Sequence, residues 1–290
     1  MGSTINADLV ISNRNQVDLR NWDATYYYFE DFQPDAVIHT AAKVGGLGAN
    51  MNYMAEFYYD NIMINTNVLE AARRTGVKKV VSFLSTCIFP ALAQYPLTEE
   101  QLHNGKPHDS NFGYGHAKRM LEVHSRAIAT QYGLNYTCII PTNIYGPNDN
   151  FNLENSHVLP ALIHKCYLAK RDNTDLVVWG SGEPLREFIF SKDVGEITKL
   201  ILEGYEDKEP VILSTSEEIS IREAVETIAN VMGFEGKLIF DSTKPDGQYK
   251  KPTSNRRLRN FLPKYKFTPF REGIKQTVDW FVENYESCRK

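Results

Sequence analysis

The sequence predicts an α/β fold, a doubly wound parallel sheet with a second, smaller mixed α/β domain behind it. Two observations carry this. Short apolar runs rich in β-branched residues alternate with longer segments of helical period, the pattern of a parallel sheet covered on both faces. After about residue 150 the alternation loosens, and helices outweigh the short strands between them. The expected division is residues 1–150 and 151–290, with some chain crossing back from the second part to the first.

The strand candidates, in order, are "DAVIHTAA" (35–42), "KKVVSFLSTCIF" (78–89), "YTCIIPTNIYG" (136–146), "LVVWG" (176–180), "VILS" (211–214) and "KLIFD" (237–241). Segments 61–75 and 114–131 lie between the first three and are long enough to be crossover helices. Further helices are expected near 157–170, 192–204, 220–233 and 270–285, and "DSTKPDGQYKKPTSN" (241–255) is the most loop-like stretch. No internal repeat or low-complexity tract interrupts the pattern.

Composition excludes several classes of function. With 32 Lys and Arg against 36 Asp and Glu, the net charge of −4 provides no electrostatic footprint for nucleic acid. Cys87, Cys138, Cys166 and Cys288 are irregularly spaced, which argues against a disulfide framework or a structural zinc site and for a reducing, cytoplasmic setting. His39, His103, His108, His116, His124 and His164 show no metal-ligand spacing, so they are expected to pack or to face solvent, and no metal is expected. The N-terminal "MGSTINADLV" lacks a basic segment followed by an apolar one, and no run of eighteen apolar residues occurs, so neither secretion nor membrane spanning is expected.

The stretch "NFGYGHAKRM" (111–120) sets Tyr114 four residues before Lys118. On a helix such a pair shares one face. An ammonium beside a phenol favours the phenolate and lowers its pKa from about 10, making acid–base chemistry accessible near neutrality. Taken alone, YxxxK also fits an ordinary solvated helix face. One crossover earlier, "LSTC" puts Ser85, Thr86 and Cys87 at the C-terminal end of a parallel strand, where doubly wound folds hold their ligands.

Ser85, Tyr114 and Lys118 in this order resemble the catalytic set of the short-chain dehydrogenase/reductase superfamily. The blocks "AAKVGG" (41–46), "STCIFP" (85–90), "PTNIYGPNDNFN" (141–152), "NSHVLPALI" (155–163), "VVWGSGEPLREF" (177–188) and "KPDGQYKK" (244–251) are similar to the GDP-L-fucose synthase family of its extended branch. The resemblance runs from about residue 8 to the C-terminus. It implies a Rossmann-like cofactor domain, NADP(H) as cofactor, a GDP-sugar substrate, and 3,5-epimerisation followed by reduction of a 4-keto group. It also implies a homodimer built from segments 50–75 and 114–131.

Carried over position by position, the resemblance makes Tyr114 the proton donor to the C4 oxygen, Lys118 the holder of the nicotinamide ribose and Ser85 a hydrogen-bond partner of the same oxygen. Cys87 and His157 match the acid–base pair that exchanges protons at the carbons flanking the ketone. The chemistry needs such a pair, because a C4 carbonyl acidifies C3 and C5 and inversion requires a base on one face and an acid on the other. On their own residues, Cys87 equally suits a buried small hydrophobe and His157 a helix cap. The implied cofactor contacts are Arg14, Asp18, Leu19, Ala41, Ala42, Leu84, Ser85, Tyr114, Lys118, Pro141, Asn143, Ile144 and His157. The implied contacts to the guanosine diphosphate part are Asn143, Lys165, Trp179, Arg186, Asp246 and Lys251. Without the resemblance, Trp179 also fits a core position, and Arg186 and Lys251 fit solvated ones.

One departure stands out. The family opens with a strand and a GxxGxxG turn whose helix N-terminus meets the cofactor pyrophosphate, and the 290 residues contain no such element. The glycines of "KVGGLGAN" (43–50) match a later block. The match starts at the family's second strand, "DLVISNR" (8–14), and the expectation is weak NADPH binding by these residues alone. Two other readings stay open: another nucleotide-sugar epimerase or dehydratase of the same branch, and a non-catalytic nucleotide-sugar-binding relic.

Overall fold

A computed structural model describes residues 8–244 and 246–290. In chain order its elements are α1 (Trp22–Phe32), β1 (Ala36–His39), α2 (Leu47–Asn52), α3 (Met54–Arg74), β2 (Lys79–Phe83), α4 (Phe112–Tyr132), β3 (Asn135–Pro141) and β4 (Asn143–Tyr145). There follow α5 (Val158–Asp172), β5 (Leu176–Trp179), β6 (Leu185–Phe190), α6 (Ser191–Gly204), β7 (Val211–Leu213), β8 (Glu218–Ser220), α7 (Ile221–Met232), β9 (Leu238–Asp241), α8 (Arg256–Phe261) and α9 (Phe270–Glu283).

The main sheet is parallel, in the order β1-β2-β3-β7. Because side chains alternate across a strand, its apolar runs feed two cores. Val80, Cys138, Ile140 and Ile212 pack with residues of α3 and α4, while Val81, Ile139, Val211 and Leu213 pack with residues of α6 and α8. The sheet is thus covered on both faces, as its continuous hydrophobicity requires. β7 comes from beyond residue 200, so the chain does return to this sheet late. The second part of the chain has its own core, which gathers α5, α7, α9, β5 and β6 around Phe151, Ile163, Phe188 and Phe281. Two small sheets complete this part, β4-β6-β8 and β5-β9.

Local signals place the ends. Asn21 caps α1 by accepting from the Ala24 N–H at 2.9 Å, and Ser220 caps α7 by accepting from the Glu223 N–H at 3.0 Å. Helix α4 stops at Gly133, whose φ of +66° suits the left-handed turn that follows a helix.

The expected strand over 8–14 does not form. Leu9, Val10 and Ile11 are 76%, 55% and 75% exposed and join no ladder. A β-branched run becomes a strand only when a neighbour takes up its backbone groups. Among the described residues β1 pairs with β2 alone, so this run has no ladder partner. Elements not anticipated are α1, α2, β6, β8 and α8.

Candidate active site

Tyr114 and Lys118 sit in the first two turns of α4, at the C-terminal ends of β1, β2 and β3. The helix enters there very close to its neighbours: a Cβ on Gly113 would lie 2.4 Å from the Met54 carbonyl oxygen, and one on Gly115 would lie 3.2 Å from the Cys87 carbonyl oxygen. Glycine on both sides of Tyr114 lets α4 press against α3 and the segment after β2. Arg119 secures that segment, donating from Nε to the Ile88 carbonyl at 2.7 Å.

Lys118 is 1% exposed, and its Nζ donates to the Phe83 carbonyl at 2.8 Å. Burial draws its pKa down to about 8. Tyr114 departs from the sequence expectation. Burial, with a smaller contribution from the nearby Cys87, raises its pKa above the ordinary phenol value instead of lowering it. The lysine ammonium is committed to a backbone carbonyl, and desolvation holds the phenol protonated.

Ser85 follows β2 and caps the single turn Thr86–Ile88, accepting from the Cys87 N–H at 3.4 Å. Cys87 is half-buried, and burial raises its thiol above the ordinary value, so it too is held protonated. His157 stands at the N-cap of α5 but makes no capping hydrogen bond with its side chain. Its imidazole is exposed and lines a cavity of about 400 Å³ together with Ala42, Leu84, Ser85, Tyr114, Lys118, Pro141, Asn143 and Ile144.

Two further cavities adjoin this one. The first shares Ala42 and is lined by Arg14, Asp18, Leu19, Arg20, Ala41 and Lys43. There Asp18 is not a free carboxylate: Arg20 grips it at 2.6 and 2.9 Å, and that hydrogen-bonded pairing lowers its pKa to about 2. The second, of about 230 Å³, shares Ser85, Thr86, Thr142 and Asn143 and adds Cys87, Arg186, Glu187, Gln248 and Lys251. Tyr114 lines the first of these cavities and Cys87 the last, and the two are contiguous through Ser85, Thr86, Thr142 and Asn143.

The chain as a whole has counterparts among known proteins. A family model described as "NAD dependent epimerase/dehydratase family" matches residues 3–214. The GDP-L-fucose synthase of Dictyostelium discoideum is 49% identical over 283 residues, covering 97% of this chain and 88% of the relative. The chain belongs to this family, among the GDP-L-fucose synthases. The Escherichia coli (strain K12) GDP-L-fucose synthase is 37% identical, over 97% of this chain and 91% of its own length. A crystal structure of a GDP-L-fucose synthetase from Naegleria fowleri bound to NADP superposes with a TM-score of 0.93 at 46% identity, covering 97% of this chain and 86% of that one.

The remaining positions singled out from the GDP-L-fucose synthase resemblance form a second group. Arg186 and Lys251 share the Cys87 cavity, and Lys251 donates to the Thr86 carbonyl at 2.7 Å. Burial lowers both cations, and at Lys251 the nearby Cys87 opposes the effect while Arg186 adds to it. Trp179 is 66% exposed at the end of β5, so it is no core residue. The Lys165 ammonium stands 4.7 Å from its ring centroid. Asp246 accepts from the Ser181 N–H at 2.9 Å and the Ser181 hydroxyl at 2.7 Å. The next residue, Gly247, lies against the Arg186 guanidinium and links the two subsets.

Sequence reasoning missed Thr142, Asp149, Glu187 and Gln248, all in the cavity walls. Glu187 carried a signal, a carboxylate inside an apolar strand directly after Arg186. Among the described residues no cluster of three His, Cys, Asp or Glu side chains suits a metal ion, and no helix is long and apolar enough to cross a membrane.

Proposed function

We propose that this protein converts GDP-4-keto-6-deoxy-D-mannose to GDP-L-fucose, with NADP(H) as cofactor. The observation that carries the reading is that a Tyr–Lys pair and His157 line one cavity and a thiol lines the next, the two joined at Ser85 and Asn143. Similarity to GDP-L-fucose synthases over nearly the whole chain supports it.

The residues fit the cofactor at both ends. Lys118 and Tyr114 offer an ammonium and a hydroxyl to the nicotinamide ribose, and Leu84, Pro141, Asn143 and Ile144 wall the ring. Arg14, which forms no ion pair among the described residues, offers a cation to a 2′-phosphate beside Leu19, Ala41 and Ala42. When bound, NADPH supplies the hydride delivered to C4.

On the chain's side, Tyr114 passes its proton to the C4 oxygen as that oxygen gains charge, and Ser85 donates a hydrogen bond to the same oxygen. The raised phenol pKa keeps that proton in place at neutral pH. For epimerisation, Cys87 and His157 act as the acid–base pair, one taking a proton from C3 or C5 and the other returning one to the opposite face. Arg186 and Lys251 neutralise the diphosphate, and Trp179, Lys165 and Asp246 hold the guanosine end.

Three coarser features belong to the same reading. Residues 1–150 hold the cofactor and 151–290 the nucleotide sugar, with β7 and α6 crossing back; residues 1–7 of the first part lie outside the described ones. Two copies pair through α3 and α4, supported by exposed Tyr58, Tyr59, Met120 and Val123 on those helices. Four free cysteines favour a reducing compartment, the cytoplasm.

The test is conversion of the keto-sugar, followed by NADPH absorbance and by solvent deuterium at C3 and C5. Oxidation of NADPH without deuterium incorporation would make the protein a plain 4-reductase and overturn the epimerase half.

A further inference from the structure

We infer that Glu187 is a positioning residue for the substrate's diphosphate end, acting through the strap of residues 248–254. The inference rests on the reading of the Cys87 cavity as the GDP-sugar site.

The strap is stitched down from both sides. Toward β6, the Leu185 N–H donates to the Tyr249 carbonyl at 2.7 Å. On its other side, the Leu97 N–H donates to the Pro252 carbonyl at 2.9 Å, and the Ser254 N–H donates to the Leu97 carbonyl at 2.8 Å. The strap carries Gln248 and Lys251 into the cavity wall. Lys251 reaches over to the Thr86 carbonyl, next to Cys87.

Glu187 lies where these attachments cross. It is 4% exposed, and its carboxylate accepts from the Thr253 N–H at 3.0 Å, the Thr253 hydroxyl at 2.6 Å and the Ser214 hydroxyl at 2.9 Å. Its own carbonyl accepts from the Asn143 amide at 2.8 Å. One residue therefore fixes four parts of the wall: Arg186 through the chain, Asn143 through its backbone, the loop after β7 through Ser214, and Lys251 through Thr253.

A buried carboxylate is costly unless its lone pairs are taken up, and three donors do so here. The arrangement is rigid, since both oxygens are engaged and the donors come from separate segments. Loosening it lets the Lys251 ammonium drift from the place where a diphosphate would meet it. Substrate binding suffers first, because the acid–base groups Cys87 and Tyr114 are held by β2 and α4 instead.

The experiment compares Thr253→Val, Thr253→Ser and Glu187→Gln with the unmutated protein by calorimetric titration with GDP, by solvent-deuterium exchange into the keto-sugar, and by thermal melting. Thr253→Val keeps the shape and loses the hydroxyl. It and Glu187→Gln are expected to raise the GDP Kd and the KM for exchange about tenfold, the scale of one charge-assisted hydrogen bond, with kcat for exchange within about threefold. Thr253→Ser restores the hydroxyl and should return both values to normal. Unchanged GDP affinity in both weakened variants overturns the proposal. So does an equal loss of kcat and affinity alongside a lowered melting temperature, which is the mark of a merely structural role. Failure of the unmutated protein to bind GDP would instead remove the site assignment, and this inference with it.

Discussion

The pairing of Tyr114 with Lys118 was legible at four-residue spacing, but the direction of the tyrosine's pKa was not. That direction depends on how deeply the phenol is buried and on what else the ammonium touches, and neither the Phe83 carbonyl nor the closeness allowed by Gly113 and Gly115 can be read from a motif. In the proton-donor role proposed for Tyr114, Tyr114→Phe should lower NADPH oxidation by about 10² to 10⁴-fold, the usual worth of a general acid, in a steady-state absorbance assay. Lys118 gives a pH dependence with a definite sign. Burial draws its pKa from an ordinary 10.5 down to about 8, so it is charged below that pH and neutral above it. The reductase rate should therefore fall as pH rises through about 8, and the limb should be missing from the residual activity of Lys118→Gln. A rate still climbing at pH 9 would contradict the role given to the ammonium. The same shift makes the folded state bind this proton less tightly than the unfolded one, so its contribution to stability is present above 10.5 and lost as pH falls through about 8.

Among the elements, long amphipathic helices and β-branched central strands were legible, because their periodicity is set by burial on known faces. α3, α4, β2 and β3 are examples. The short strands β6 and β8 were not, since three to six residues in a mixed sheet leave too little pattern to separate from a loop. The run at 8–14 shows the converse. It has strand composition, yet Leu9, Val10 and Ile11 are exposed, because a strand is a property of a pair of segments. The Tyr114 and Arg14 cavities meet at Ala42, and no glycine is among the described residues lining the latter.

For the molecule as a whole, the site lies where the C-terminal edge of the main sheet faces the second core, with β7, α6 and the strap 248–254 tying the two together. Blocks of sequence similar to a family located both sides of that cleft, but the connecting contacts were hidden. Thr86 with Lys251, and Glu187 with Thr253, are separated by many tens of residues and become neighbours only through the fold. Sedimentation at micromolar concentration should give a dimer through α3 and α4, and a monomer there would remove that contact. The central claim is that one cleft houses two separable chemistries, hydride-coupled protonation at Tyr114 and proton exchange at Cys87. It is tested most directly by NMR of GDP-4-keto-6-deoxy-D-mannose in deuterated buffer without NADPH, using the unmutated protein, Tyr114→Phe and Cys87→Ser. The account predicts deuterium at C3 or C5 with the first two and a rate about 10² to 10⁴-fold lower with Cys87→Ser. Exchange by Cys87→Ser at the unmutated rate would contradict it, leaving Cys87 a packing residue and the exchange to other groups.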